Sequence, residues 1–368
     1  MKAGVAVEAL ALTLGAFRLG PVDFTVRGGE ILAVLGPNGS GKSVTLETIA
    51  GFHRPDEGRV TIGGRDVTAL PPERRNVGFV VQNFGLFPHL SVEQNVAIAW
   101  RGDGADRGGA GGDTALALQG GPAGLLAYFG VAHLARRAPA DLSPGEKQRV
   151  ALARALARAP DVFLFDEPFA ALDTQTRERL RDELIAFLRA LGIAAIFVTH
   201  DHADARALAD TVVVLREGAM VQRGPAAEIF HKPVNSFVAR FVGIENVLDA
   251  QIAELSNATA MLTVGKATLR AVAPPPSFAV GCAVHLSIAA EDVTVMAGEG
   301  GAASPAATRL QGRVTALRAL GALVTAELDC GFTLKAYLLA PQARAMKLGV
   351  GDPVAIEIDA AAIHVMAD

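Results

Sequence analysis

ILAVLGPNGSGKSVTLETIAG, residues 31–51, decides how the first two thirds of this 368-residue chain folds. Five consecutive apolar residues, ILAVL at 31–35, read as a strand buried on both faces. GPNGSGKS at 36–43 then opens a helix, the setting a phosphate-binding loop needs. Within the candidate binding stretch Gly36, Pro37, Asn38, Gly39, Ser40, Gly41, Lys42, Ser43 and Val44, the glycines let backbone N–H groups turn inward around an anion. Lys42 can reach the β- and γ-phosphates of a nucleotide, and Ser43 can place its hydroxyl on Mg²⁺. The helix N-terminus adds a favourable dipole.

Outward from this stretch, apolar strands alternate with helical segments to about residue 224: VGFVV at 77–81, VFLF at 162–165 and IAAIFV at 193–198. Such alternation specifies an α/β core. Helical patterns at 225–231 and 234–242 lead into a region of period-two alternation, as in Val324, Ala326, Leu328 and Val354, Ile356, Ile358, so the chain is mostly β from about 246. There, VGCAVHLSIAAEDVTVM at 280–296 aligns without gaps on VGDPVAIEIDAAAIHVM at 350–366, matching Gly281 with Gly351, Val284 with Val354, Ile288 with Ile358 and Val293 with Ile363. Two similar small barrels in tandem are the simplest reading. Part of the Gly/Ala-rich stretch 101–124 is expected to be a loop or loose insertion, and no chemistry is assigned to it.

Bulk properties exclude several function classes. Hydrophobic residues make up 51% of the chain, yet no apolar run approaches the roughly 20 residues of a membrane helix. The N-terminus has Glu8 and an alternating pattern, so it reads as a strand and not a signal peptide, and a cytoplasmic location is expected. Cys282 and Cys330 lack metal-like or redox spacing, and His89, His133 and His202 read as surface or loop residues. Net charge is −4 with no basic stripe, so nucleic acid is not an expected partner.

DVFLFDE at 161–167 supplies a partner for the loop: a buried strand ending in Asp166 and Glu167. Asp166 fits the role of holding Mg²⁺, and Glu167 that of polarising an attacking water. Acid pairs at strand ends are common, so this pair alone is ambiguous. ADLSPGEKQRVALARALAR at 140–158 reads as a capped helix with Ser143 at the N-cap, Pro144 at the first helical position and Glu146 completing a capping box. Its exposed N–H groups and Ser143 make a second anion site.

Residues 1–243 resemble the ATP-binding subunits of ABC importers, through GPNGSGKS, the Gln82 loop in VVQNFGLFPHLSVEQNV, LSPGEKQR, FLFDEP, ALD at 171–173 and VTHD at 198–201, in that order. The resemblance implies an α/β ATPase domain over 1–243 with a helical subdomain at about 83–158. It also implies an all-β domain over 246–368 of two small OB-like barrels. Two copies are expected to sandwich ATP and Mg²⁺, the loop of one facing Ser143, Gly145 and Glu146 of the other. By the same resemblance Glu167 and His200 are catalytic, His200 contacting the γ-phosphate. Gln82 senses Mg²⁺ and a membrane permease, Asp173 couples the two sites, and Phe17 stacks on adenine. The metal set is Ser43, Gln82 and Asp166. A substrate-binding protein acts through the permease, and the subunit sits at the cytoplasmic face of the membrane.

GKSVTLETIAG at 41–51, LGAFRLGPVDFTV before it and VGIENVLDAQI at 242–252 look most like the molybdate/tungstate branch. In that branch an Arg-Asn pair usually precedes a Leu-x-Gly-x-Val stretch; here LQGRV at 310–314 follows Ala307 and Thr308. Importers of sulfate, ferric iron, polyamines or sugars share most of these motifs and stay open as alternatives. A non-transport ATPase would need coiled-coil insertions or a second cassette, and a pure oxyanion sensor would not need the complete set of nucleotide motifs.

Overall fold

The computed structural model describes residues 4–100, 119–170, 172–274, 278–297 and 307–367. Most of the Gly/Ala-rich stretch, at 101–118, and Ala171 of the ALD motif lie outside these residues. The chain divides into two compact units, Met1–Ala226 and Ala227–Asp368. The division falls ahead of residue 243, because the two short helices after residue 225 group with the β-rich unit.

The first unit carries β1 (Val5–Leu14), β2 (Phe17–Val26), β3 (Ile31–Leu35), α1 (Lys42–Ala50), β4 (Glu57–Ile62), β5 (Arg65–Asp66) and β6 (Val77–Val80). It continues with α2 (Val92–Ala97), α3 (Gly121–Tyr128), α4 (Pro144–Leu156), β7 (Val162–Asp166), α5 (Thr174–Leu191), β8 (Ala194–Val198), α6 (His202–Leu208), β9 (Thr211–Arg216) and β10 (Ala219–Pro225). One antiparallel sheet runs β2-β1-β4-β5. The other runs β10-β9-β3-β8-β7-β6 and is parallel from β9 to β6.

Alternation along the parallel strands separates two cores. Phe163, Phe165 and Phe197 pack with α4 and α5, whereas Val162, Leu164 and Ile196 pack towards the antiparallel sheet. Phe165 and Phe197 stack with ring centroids 4.3 Å apart. Both faces are covered, so the central residues of β3, β7, β8 and β9 are apolar and buried. All parallel strands end at one edge, where an α/β sheet places its ligands. Among the described residues no helix is long and apolar enough to cross a membrane.

In the second unit, α7 (Ala226–His231) and α8 (Ser236–Phe241) precede β11 (Asn246–Leu255), β12 (Thr259–Val264), β13 (Ala267–Val272), β14 (Ala283–Ile288) and β15 (Val293–Ala297). β16 (Ala307–Leu320), β17 (Leu323–Asp329), β18 (Thr333–Leu339), α9 (Ala340–Ala345), β19 (Pro353–Asp359) and β20 (His364–Met366) follow. The sequence repeat is structural: each copy is a strand, a 3₁₀ turn and a second strand, β14–β15 and β19–β20. The two copies nevertheless exchange their last strands. β20 pairs with β14, Leu286 opposite Val365, and β15 pairs with β19, Val293 opposite Ile358. The sheets are therefore β13-β12-β11-β14-β20 and β15-β19-β16-β17-β18, closed over one shared core. The matched apolar pattern gives each last strand an equivalent partner in either copy. Thr308 is buried, its hydroxyl accepting from the Arg270 backbone N–H at 2.8 Å.

Candidate active site

The loop after β3 is shaped by close approach. A Cβ on Gly36 would lie 2.4 Å from the Leu215 carbonyl oxygen, and one on Gly41 would strike Leu19 Cδ1 at 2.7 Å and Phe17 Cζ at 3.0 Å. Phe17 thus packs directly against the loop. Pro37, Asn38, Gly39 and Ser43 are exposed along it, while Ser40 and Lys42 are buried. Lys42 Nζ donates to the carbonyls of Gly36 at 2.7 Å and Pro37 at 3.0 Å. Burial pulls its ammonium below the usual lysine range, opposed by the charges of Glu167 and Asp166.

Ser43 Oγ donates to Asp166 Oδ1 at 3.3 Å, joining the start of α1 to the end of β7. Burial raises the Asp166 carboxyl above the ordinary carboxylate range, and the Ser43 bond opposes the shift. Glu167 has φ 46, a costly conformation for a non-glycine residue, and its N–H donates to the Val198 carbonyl at 2.9 Å. Its Oε1 lies 3.0 Å from His200 Nδ1, the histidine following β8. A hydroxyl and a carboxylate converging beside a lysine suit Mg²⁺, a hard cation that takes few protein ligands and completes its shell with water and phosphate. Gln82 is exposed, two residues past β6, which pairs with β7.

The ABC transporter family matches residues 19–170. A molybdate/tungstate import ATP-binding protein of Pyrococcus horikoshii is 37% identical over 360 residues, covering 98% of this chain and 99% of that protein. The chain belongs to the ATP-binding proteins of the ABC transporter family. An Fe(3+) ions import ATP-binding protein of Agrobacterium fabrum is 38% identical over 262 residues, 71% of this chain and 72% of that protein. An ATP-binding cassette in a dimeric post-hydrolysis state, bound to ADP and Pi, superposes with a TM-score of 0.50 at 28% identity over 60% of this chain and 98% of that one. The chain is accordingly an ABC-type ATPase.

In this ABC ATPase the LSPGEKQR motif places Ser143 at the N-cap of α4, with Pro144 in the first turn. Ser143 N–H and Oγ donate to Glu146 Oε2 at 2.7 and 2.8 Å, and Glu146 N–H donates back to Ser143 Oγ at 3.4 Å. These bonds hold the Glu146 carboxyl below its usual range. Asp173 caps α5, accepting from Thr176 N–H at 3.0 Å.

Sequence reasoning missed two arginines that hold this machinery. Arg154 on α4 donates to the carbonyls of Gly85 at 2.6 Å and Phe84 at 3.0 Å, fixing the segment that follows Gln82. Arg75 donates to Leu70, Thr48, Ile49 and Thr68 carbonyls, two of them in the last turn of α1. Neither sits in a spacing that marks it, because the partners that tie Arg75 to α1 and Arg154 to the segment after Gln82 are distant in sequence.

Proposed function

We propose that this ATPase binds ATP with Mg²⁺ as a homodimer and drives uptake of molybdate or tungstate through a separate membrane permease, fed by a substrate-binding protein, from the cytoplasmic face of the membrane. The observation that carries the hydrolytic part is the convergence of Lys42, Ser43, Asp166, Glu167 and His200 at one sheet edge. Ser43 and Asp166 would hold Mg²⁺, which would neutralise charge on the β- and γ-phosphates. Lys42 binds the same phosphates. Glu167 accepts a proton from the attacking water, and His200 keeps Glu167 aimed and contacts the γ-phosphate. Ser143 and Gly145 of the opposite copy close on the nucleotide, Gln82 relays its state to the permease, Phe17 meets the adenine and Asp173 links the two sites.

The substrate assignment is supported by the full-length match to the Pyrococcus horikoshii protein, which extends across the β-rich unit. Ferric iron is the second reading, favoured by a relative 38% identical over 71% of the chain. ATPase activity of the subunit reconstituted with its permease and binding protein separates them. Stimulation by molybdate or tungstate, and not by sulfate or ferric iron, is expected; stimulation by ferric iron alone would overturn the substrate assignment and leave the ATPase intact.

A further inference from the structure

We propose that four charges joining α5 to α6 transmit the state of Asp173 to His200, making Arg177 and Asp201 positioning residues that couple the two ATP sites of a dimer. The proposal rests on the reading of Asp173 as the residue that meets the opposite site. Asp173 is the N-cap of α5, and one turn on, Arg177 N–H donates to its carbonyl at 2.9 Å. The Arg177 guanidinium Nη1 donates to Asp201 Oδ2 at 2.5 Å. Four residues further, Arg181 Nη1 lies 3.5 Å from Asp204 Oδ1. The i, i+4 spacing of the arginines faces the i, i+3 spacing of the aspartates, so both pairs lie on one side of each helix, a turn apart.

Asp201 divides its carboxylate between two tasks. Oδ1 caps α6, accepting from Ala203 N–H at 2.8 Å and Asp204 N–H at 3.1 Å, while Oδ2 is held by α5. Its own N–H donates to Thr199 Oγ1 at 3.0 Å. His200 is therefore suspended between two anchored residues, one tied to α5, and its Nδ1 stands 3.0 Å from Glu167 Oε1. A shift of α5 must carry Asp201, and with it His200. The clamp is protected from water: Asp204 is 2% exposed, and the Arg177 and Asp201 side chains are 27% and 26% exposed. Charge pairs so placed are screened less than surface pairs. Among the described residues, Asp182, 3.6 Å from Arg181 Nε, His202 and Arg206, whose charge acts on His202, also face this junction.

Two variants of the full-length protein test the clamp. Asp201→Asn keeps an Oδ1 that caps α6 and loses the charge that holds Arg177; Arg177→Met removes the other partner. Arg189→Met is the control, since it breaks a different α5 ion pair, to Asp210 at 2.6 Å, away from the histidine. Steady-state ATPase against ATP concentration is expected to give a wild-type Hill coefficient above 1. Both clamp variants should bring it to about 1 and lower kcat about tenfold, as for a misplaced catalytic group. Affinity for a non-hydrolysable ATP analogue should stay within about twofold in every variant, since no contact to nucleotide is removed. Arg189→Met should keep the wild-type Hill coefficient and kcat. The proposal is overturned if the clamp variants retain both, if Arg189→Met loses them equally, or if the wild-type Hill coefficient is 1. Asp173→Asn isolates the premise: an unchanged Hill coefficient there, with the effect still present in Asp201→Asn, rejects the role of Asp173 and not the clamp.

Discussion

Replacing Arg75 by Met should unseat the helix that carries the nucleotide loop. Arg75 is 2% exposed and makes four bonds of 2.7 to 3.0 Å to backbone carbonyls. Hydrogen bonds from a charged donor contribute about 1.5–3 kcal/mol each, so a naive sum reaches about 6–12 kcal/mol. Two effects reduce it. Thr48 O keeps a second donor, Gly51 N–H at 3.2 Å, and burial already disfavours the Arg75 charge enough to lower its pKa. A net loss of about 3–5 kcal/mol is expected, the usual cost of removing one partner from a buried charged network. Trp100 is the sole tryptophan and lies in the first unit, so urea unfolding followed by its fluorescence reports that unit. A loss below about 1 kcal/mol at unchanged m-value would refute the reasoning, because it would mean water or the loop satisfies those carbonyls as well as Arg75 does.

Ser143→Ala should cost about 1 kcal/mol of stability from the lost N-cap and a larger share of ATPase activity; unchanged turnover would remove Ser143 from the site. Asp166→Asn should raise the unfolding temperature of the nucleotide-free protein at neutral pH. The folded-state pKa of Asp166 is raised, so its contribution is greatest below the ordinary carboxylate value and is lost as pH rises through the folded pKa. The advantage of the variant should therefore vanish near pH ~4, and an advantage that grew on acidification would contradict the sign. Ending the chain after Asp359 removes β20, which belongs to the sheet built on β11–β14. Limited proteolysis should then open that sheet, whereas protection of β11–β14 would deny the strand exchange.

Much of the site was legible because its signals are local. GPNGSGKS between a strand and a helix, the acids ending β7 and the capping box at Ser143 are each specified within a few residues, and each lies where its sequence context puts it. Arg75 and Arg154 were not legible. Arg75 reaches carbonyls 26 and 27 residues away and Arg154 carbonyls 69 and 70 residues away, contacts that exist only once the sheet has formed. The repeat at 280–296 and 350–366 announced two equivalent units but not which last strand serves which sheet, because equal patterns make either pairing equally apolar. The helices after residue 225 follow the ATPase motifs in sequence, yet their packing assigns them to the β-rich unit.

The most direct test of the account is turnover of Glu167→Gln. Glu167 is the carboxylate 3.0 Å from His200 Nδ1, and glutamine keeps its shape without its basicity. ATP binding at wild-type affinity, with phosphate release slowed about 10²–10⁴-fold, is the expected result for loss of a general base. Phosphate release at the wild-type rate would contradict the assignment of Glu167 and the chemistry built on it.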